Sequence, residues 1–174
     1  MKALVITRSG SIELREEPRP EDAGECLIRV LKAGICGTDL QLLEGYAEFT
    51  GIPGHEFVGI VEQAPEADSA WIGRRVVGEI NVGCRHCDWC ARGIKEHCAN
   101  RNVVGIRQHD GAFAEYLSLP AVNLHAVPEK MDDDTAVFAE PVAAACRSFE
   151  QMSVDPQARV AIVGDGRMGL LVAQ

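Results

Sequence analysis

Nothing in the sequence approaches the ~20 consecutive apolar residues of a membrane-spanning helix. The opening MKALVITRSG also lacks the apolar core that a secretory signal needs. The expected setting is therefore the cytoplasm, with no membrane partner. Positive charge is scarce as well. Seventeen Lys and Arg stand against twenty-six Asp and Glu, a formal charge of −9, whereas a phosphate-binding face is ordinarily basic. That balance argues against nucleic acid as a partner. Internal repeats and low-complexity tracts are absent too. The 174 residues, 47% of them hydrophobic, suffice for one good core and little more.

Cysteine is present but unevenly placed. Four of the seven fall in one short run, GCRHCDWCARGIKEHC (83–98). Cys84, Cys87, Cys90 and Cys98 read C-x2-C-x2-C-x7-C. Each short step lets a turn carry successive sulfurs round one ion, and the longer step brings back the fourth. In a reducing compartment such a cluster points to metal before disulfides. Four thiolates close a tetrahedral zinc shell at roughly 2.3 Å per bond and leave no open position, so the expected site is structural. His86 and His97 are competing ligand candidates within the run, and a disulfide pair is the other reading of the same cysteines. Trp89 and Gly93 suit a compact lobe wrapped on the metal.

The rest of the chain reads as many short strands. KALVIT (2–7) and CLIRVLKAGIC (26–36) are apolar or alternating, and the Pro-rich EEPRPEDAGE (16–25) between them reads as a loop. FVGIVEQA (57–64), RRVVGEI (74–80) and AEYLSLP (114–120) are further β runs broken by Gly and Pro. Such a pattern predicts a mainly β domain with some α, built as a partly open β-barrel. DDDTAVFAEPVAAACRSFEQM (132–152) changes character. Its aspartates suit a helix N-terminus and its alanines suit a helix, which Pro141 should break or restart. Cys26 and Cys146 belong to no motif and are expected in the core.

The end of the chain carries a different signature. VAIVGDGRMGLLVAQ (160–174) reads as a strand over Val160–Val163, then Gly164-x-Gly166-x-x-Gly169, then an apolar helix. This is the opening of a dinucleotide-binding βαβ unit. Its glycines serve the tight turn, the close approach of a pyrophosphate and helix–strand packing. The second strand and the acidic residue about 20 residues further on are not in the chain. The expectation is therefore a fragment of a longer polypeptide: residues 1–156 as one domain with the zinc lobe at 83–98, and residues 157–174 as the start of a Rossmann domain.

With GICGTD (34–39), GHEFVGIV (54–61), the four-cysteine lobe and its C-x2-G, DGAFAEY (110–116), AEP (139–141) and the glycine fingerprint in this order, the chain resembles the zinc-dependent medium-chain alcohol and polyol dehydrogenases. The likeness is to their N-terminal, GroES-like catalytic domain and covers essentially the whole chain. On spacing alone, Cys36 and His55 are too far apart for any local rule to join them. The resemblance implies that they are ligands of a catalytic zinc. Glu56 is then a carboxylate that binds the metal or waits beside it, and Glu140 falls where the family places a further ligand. Asp39 matches the carboxylate that orients the ligand imidazole through its other nitrogen. Its plainer reading is a turn aspartate. Thr38 matches the hydroxyl that takes the alcohol proton, and it is also placed to cap the helix begun by DLQLL.

The implied activity is zinc-dependent interconversion of an alcohol and its carbonyl compound, with NAD or NADP as the hydride carrier. An acidic Glu140 leans toward polyols and amino alcohols. The parent enzyme is expected to be a homo-oligomer, and this chain alone is expected to be inactive. One departure stands out. Gln41 occupies a position where related sequences often carry a histidine that ends the proton relay, and glutamine cannot titrate near neutral pH. Two other readings remain. A small zinc module that binds another macromolecule would explain the cysteine lobe, though not Cys36, His55 and Glu56. A zinc-free quinone-type reductase of the same fold would lack both cysteine sets.

Overall fold

The computed structural model describes residues 1–21 and 24–174. A hairpin comes first: β1 (Lys2–Ile6) and β2 (Ile12–Glu16) run antiparallel, with Leu4 opposite Leu14 and Ile6 opposite Ile12. Strand β3 (Cys26–Gly34), helix α1 (Gly37–Leu43), β4 (Glu56–Gln63) and β5 (Arg75–Gly78) follow. The cysteine lobe holds β6 (Asn81–Val82), α2 (Asp88–Ala91) and β7 (Asn102–Val103). Then come β8 (Tyr116–Leu119), β9 (Leu124–Ala126), α3 (Asp133–Ala136), α4 (Ala139–Gln151) and α5 (Arg167–Ala173). Residues 22 and 23 of the expected 16–25 loop lie outside the described residues.

Five strands make the main sheet, in the order β8-β3-β4-β5-β9, antiparallel throughout. β8 and β9 remain its two ends, so the barrel is open. The β-branched and aliphatic residues of these strands fill one cluster, in which Ile28, Val61, Val76 and Leu119 are fully buried beside Phe57, Leu117 and Leu124. The hairpin closes on the other side. Leu4 N–H donates to the Phe113 carbonyl at 2.8 Å, and Ile6 exchanges backbone bonds with Gly51 at 2.8 and 3.0 Å. Ile6 then packs with Leu42 of α1 and Phe49 in a second cluster, which ties α1 to the hairpin.

The strands expected from KALVIT, CLIRVLKAGIC, FVGIVEQA, RRVVGEI and AEYLSLP are all present, while β2, β6, β7 and β9 lie outside the expected runs. Pro141 restarts the helix as expected. It sits in the first turn of α4, where its missing N–H has no intrahelical partner to lose. Two expectations fail. Val160–Val163 is not a strand: it pairs with nothing among the described residues, and Val163 is wholly exposed. Cys26 is buried, but Cys146 is exposed on α4, because only the Pro141 and Ala145 side of that helix turns inward. No helix among the described residues is long and apolar enough to cross a membrane.

Candidate functional site

The lobe between β6 and β7 has little hydrophobic content, and its four cysteines converge instead. The sulfurs of Cys84, Cys87, Cys90 and Cys98 all lie within 4.8 Å of one another, with Cys84 Sγ 4.0 Å from Cys90 Sγ. A tetrahedron of Zn–S bonds has edges of roughly 3.8 Å, so the donor set fits a zinc ion closely. All seven cysteines are free thiols. Hydrogen bonding from the His86 backbone N–H, helped by that of Cys87 and by the Cys98 and Cys87 thiols, outweighs burial and brings the Cys84 thiol down to about 6. Desolvation leads the opposite shift at Cys90, which rises to about 11. Neither histidine joins the sulfur group. His86 Nδ1 is 2.7 Å from the Cys84 carbonyl oxygen, and His97 stacks on Trp89 with ring centroids 5.3 Å apart. Lys95 anchors the lobe to Glu79 at 2.7 Å.

A second donor group draws on distant segments. Cys36, His55 and Glu56 place one sulfur, one ring nitrogen and one carboxylate oxygen within 4.8 Å of each other. Cys36 follows β3 as the N-cap of α1, in extended conformation. Asp39, at the third position of the helix, accepts the Cys36 backbone N–H at 2.8 Å through Oδ2. The role expected of Thr38 at the helix start thus belongs to Asp39. The acid three residues after the cap is the readable signal, masked here by a cysteine in the cap position. Asp39 Oδ1 faces His55 Nδ1 at 3.4 Å, and both side chains are 4% exposed. Neither atom has a hydrogen-bond partner, so the contact is an ion-pair approach that stops short of a bond.

Gly54 delivers His55 to this place. Its φ is +95°, and a Cβ there would stand 2.5 Å from Phe113 Cδ1. Gly34 faces Glu56 across the β3–β4 register, and a Cβ on Gly34 would run into the Glu56 carboxylate. Burial pushes the His55 imidazole down, but the facing Asp39 carboxylate and then Cys36 outweigh it and lift His55 to about 9. Glu140 stands outside the three-donor group, on α4. Burial, opposed by His55 and reinforced by Glu56 and Asp39, raises its carboxyl.

A cleft of about 770 Å³ joins this group to the end of the chain. Cys36, Thr38, Gln41 and Glu56 form one wall, and Gly164, Gly166, Arg167 and Gly169 the other. Thr38 Oγ1 lies 3.7 Å from Cys36 Sγ. The glycine turn has the close packing its motif implies: Gly164 has φ +109°, and a Cβ on Gly169 would strike the Gly164 carbonyl. Arg167, which no motif singled out, donates from Nη1 to the Ile35 carbonyl at 2.8 Å and so ties the two walls together.

Residues 22–129 match the family described as the alcohol dehydrogenase GroES-like domain. The chain belongs to this family. L-threonine 3-dehydrogenase of Shewanella frigidimarina (strain NCIMB 400) is 36% identical over 185 residues, covering 99% of this chain and 53% of that protein. Erythritol/L-threitol dehydrogenase of Mycolicibacterium smegmatis is 36% identical over 189 residues, covering 98% and 52%. Among solved structures, the Escherichia coli CFT073 short chain alcohol dehydrogenase rspB, crystallised with NADH, superposes with a TM-score of 0.91 at 32% identity, covering 99% of this chain and 51% of that one. The chain spans about half the length of the curated relatives it matches. The GroES-like match takes in Cys36, His55, Glu56 and the whole cysteine lobe, and it stops before α3.

Proposed function

We propose that this chain carries the metal-bearing catalytic part of an oxidoreductase that interconverts an alcohol and its carbonyl compound by hydride transfer with NAD or NADP. The observation that carries this reading is the convergence of Cys36 with His55 and Glu56, from two segments far apart in sequence, beside a cleft that Cys36 and Glu56 line and whose other wall is a Gly-x-Gly-x-x-Gly turn. In this reading residues 1–156 are the catalytic domain, and residues 157–174 open the dinucleotide-binding unit with Gly164, Gly166 and Gly169. Two of the similar proteins are named as L-threonine and erythritol/L-threitol dehydrogenases, which supports an amino alcohol or polyol as the substrate class. A homo-oligomer is the proposed assembly.

Cys36, His55 and Glu56 would hold a zinc ion, with Glu140 near enough for its carboxyl to feel the charges of His55, Glu56 and Asp39. Zinc there supplies Lewis acidity toward an alcohol oxygen, and the nicotinamide supplies the hydride acceptor. The remaining tasks fall to the chain's own side chains. Asp39 faces Nδ1 of His55, so Nε2 would be the nitrogen left for the metal, and a bond closed across that gap would fix the tautomer. Thr38, beside Cys36, takes the alcohol proton through its hydroxyl. Gln41 lies on the same wall and extends that path by hydrogen bonding, without a titrating end. The Cys84, Cys87, Cys90 and Cys98 site holds the lobe and takes no part in the chemistry.

Elemental analysis of protein purified without chelator tests the reading. Two zinc ions per chain are expected, falling to one in Cys36→Ser and to one in His55→Ala. A single zinc ion in the unsubstituted chain, unaffected by either change, would leave only a zinc-stabilised lobe and remove the catalytic assignment.

A further inference from the structure

The hairpin edge opposite the main sheet is open. In the β1–β2 pair, Thr7 N–H donates to the Ser11 carbonyl at 2.9 Å and Glu17 N–H to the Met1 carbonyl at 2.8 Å, with the Met1 ammonium returning a bond to the Glu17 carbonyl at 2.7 Å. Antiparallel pairs alternate, so residues 11, 13, 15 and 17 of this ladder face β1. Ile12, Leu14 and Glu16 turn their N–H and C=O groups outward. The equivalent outer groups of β1 are already taken by Gly51, Phe113 and Glu115. Among the described residues, nothing pairs with the outer edge of β2.

The side chains of that edge match themselves. Ile12 is 43% and Leu14 68% exposed, beside Leu4 at 36% on the same face. On the other face Arg15 Nη2 lies 2.7 Å from Glu13 Oε2 within the strand. We infer that β2 is a self-pairing edge: two copies of this chain join antiparallel about a two-fold axis through Leu14. In that register Leu14 opposes Leu14 of the second copy, and Ile12 opposes Glu16. All the outward backbone groups of Ile12, Leu14 and Glu16 then meet partners, because these are the hydrogen-bonded positions of the new pair. Glu13 opposes Arg15 of the second copy twice over, so each intrastrand pair becomes a cross-strand pair with the same charges. Leu4, Ile12 and Leu14 from both copies join into one apolar stripe.

Charged residues on an exposed edge usually prevent association. Here Glu13 and Arg15 flank Leu14 and are complementary to their own reverse, so these charges select one register and one partner, a second copy of the chain; the two Ile12–Glu16 pairs add no such match. The contact is isologous and closes at two. It does not depend on the metal or on the proposed reaction.

The test is the concentration dependence of mass, by sedimentation equilibrium, for the 174-residue chain and two variants. The unsubstituted chain should dimerise. Arg15→Glu makes both cross-strand pairs repulsive and should weaken the dimer about ten-fold or more. The double variant Glu13→Arg, Arg15→Glu restores complementarity and should regain the original affinity, which separates lost pairing from misfolding. A monomer at every concentration would overturn the inference. So would a dimer that Arg15→Glu leaves intact, which would place the contact elsewhere, such as the exposed Val160–Val163 segment. Failure of the double variant to recover, with native circular dichroism, would likewise refute it.

Discussion

Replacing Gly54 by alanine tests how the fold delivers His55 to the metal group. Two costs meet at this position. The backbone has φ +95°, a left-handed conformation that costs an L-residue about 1–2 kcal/mol. The new Cβ would also stand 2.5 Å from Phe113 Cδ1, 2.8 Å from Cε1 and 2.9 Å from Cγ. The ring cannot retreat freely, because Phe113 packs on the Ala3, Val5, Ile52 and Ala114 cluster and its backbone N–H is bonded to the Pro53 carbonyl at 2.9 Å. Forcing such overpacking costs typically about 1–3 kcal/mol. Loss of unfolded-chain freedom returns about 0.4–1 kcal/mol, leaving a net destabilisation of about 1–4.5 kcal/mol. Gly73 is the control. Its φ is +79° with nothing within 4 Å of a built Cβ, so Gly73→Ala carries the backbone cost alone, about 1.5 kcal/mol or less net. Urea unfolding of both variants with chelator present measures the difference without metal binding. Zinc content of Gly54→Ala should drop at the Cys36 group while the lobe keeps its ion. Equal unfolding midpoints for the two variants would refute the steric argument, since both share the backbone cost and only one has the clash.

A chelator titration should strip the Cys36, His55 and Glu56 site first, since four clustered thiolates, one already lowered to about 6, hold zinc better than a mixed set from separate segments. Biphasic zinc release measured with a colorimetric indicator checks this, and a single phase counts against it. Asp39→Ala removes both the Cys36 N–H acceptor and the carboxylate facing His55, and should lower zinc affinity at that site about 10–100-fold, read by competition with a calibrated chelator. In a protein that joins this chain to a complete nucleotide-binding domain, Thr38→Ala should reduce alcohol oxidation by about 10²–10⁴-fold with little change in cofactor affinity. Gln41→His should add a titrating group to the path and change the pH profile of turnover.

The parts of the molecule that were readable from sequence are those with local causes. The cysteine lobe depends on spacing within one short run, and the structure brings its four sulfurs together. Five of the nine strands among the described residues announced themselves through alternating or apolar runs, and α4 through its alanines and its first-turn proline. β6 and β7 are two residues each, too short for a period to appear, whereas the Ile12-Glu13-Leu14-Arg15 alternation of β2 is a signal that the adjoining Pro-rich run obscures. The pairing of Cys36 with His55 is non-local. No spacing rule reaches it, and only the resemblance supplied it. What the sequence could not convey was the means: Gly34 clearing room for Glu56, Gly54 turning under Phe113, and Asp39 serving the helix cap and the imidazole at once.

Val160–Val163 shows the same division from the other side. The four residues are apolar, follow a turn and precede a glycine fingerprint, and their composition favours a strand. A strand, however, is a property of a pair. Its hydrogen bonds and half of its buried surface come from neighbours, whereas a helix such as α5 satisfies its backbone internally. The two segments share one glycine fingerprint and differ in outcome for that reason: Arg167–Ala173 is helical, and Val160–Val163 stays unpaired and exposed. The turn between them keeps its shape even so. Gly169 still packs against the Gly164 carbonyl, and Arg167 still reaches Ile35 beside the metal group. The geometry of the fingerprint is thus set by its own glycines and by its hold on Ile35, ahead of any sheet that would stand behind it.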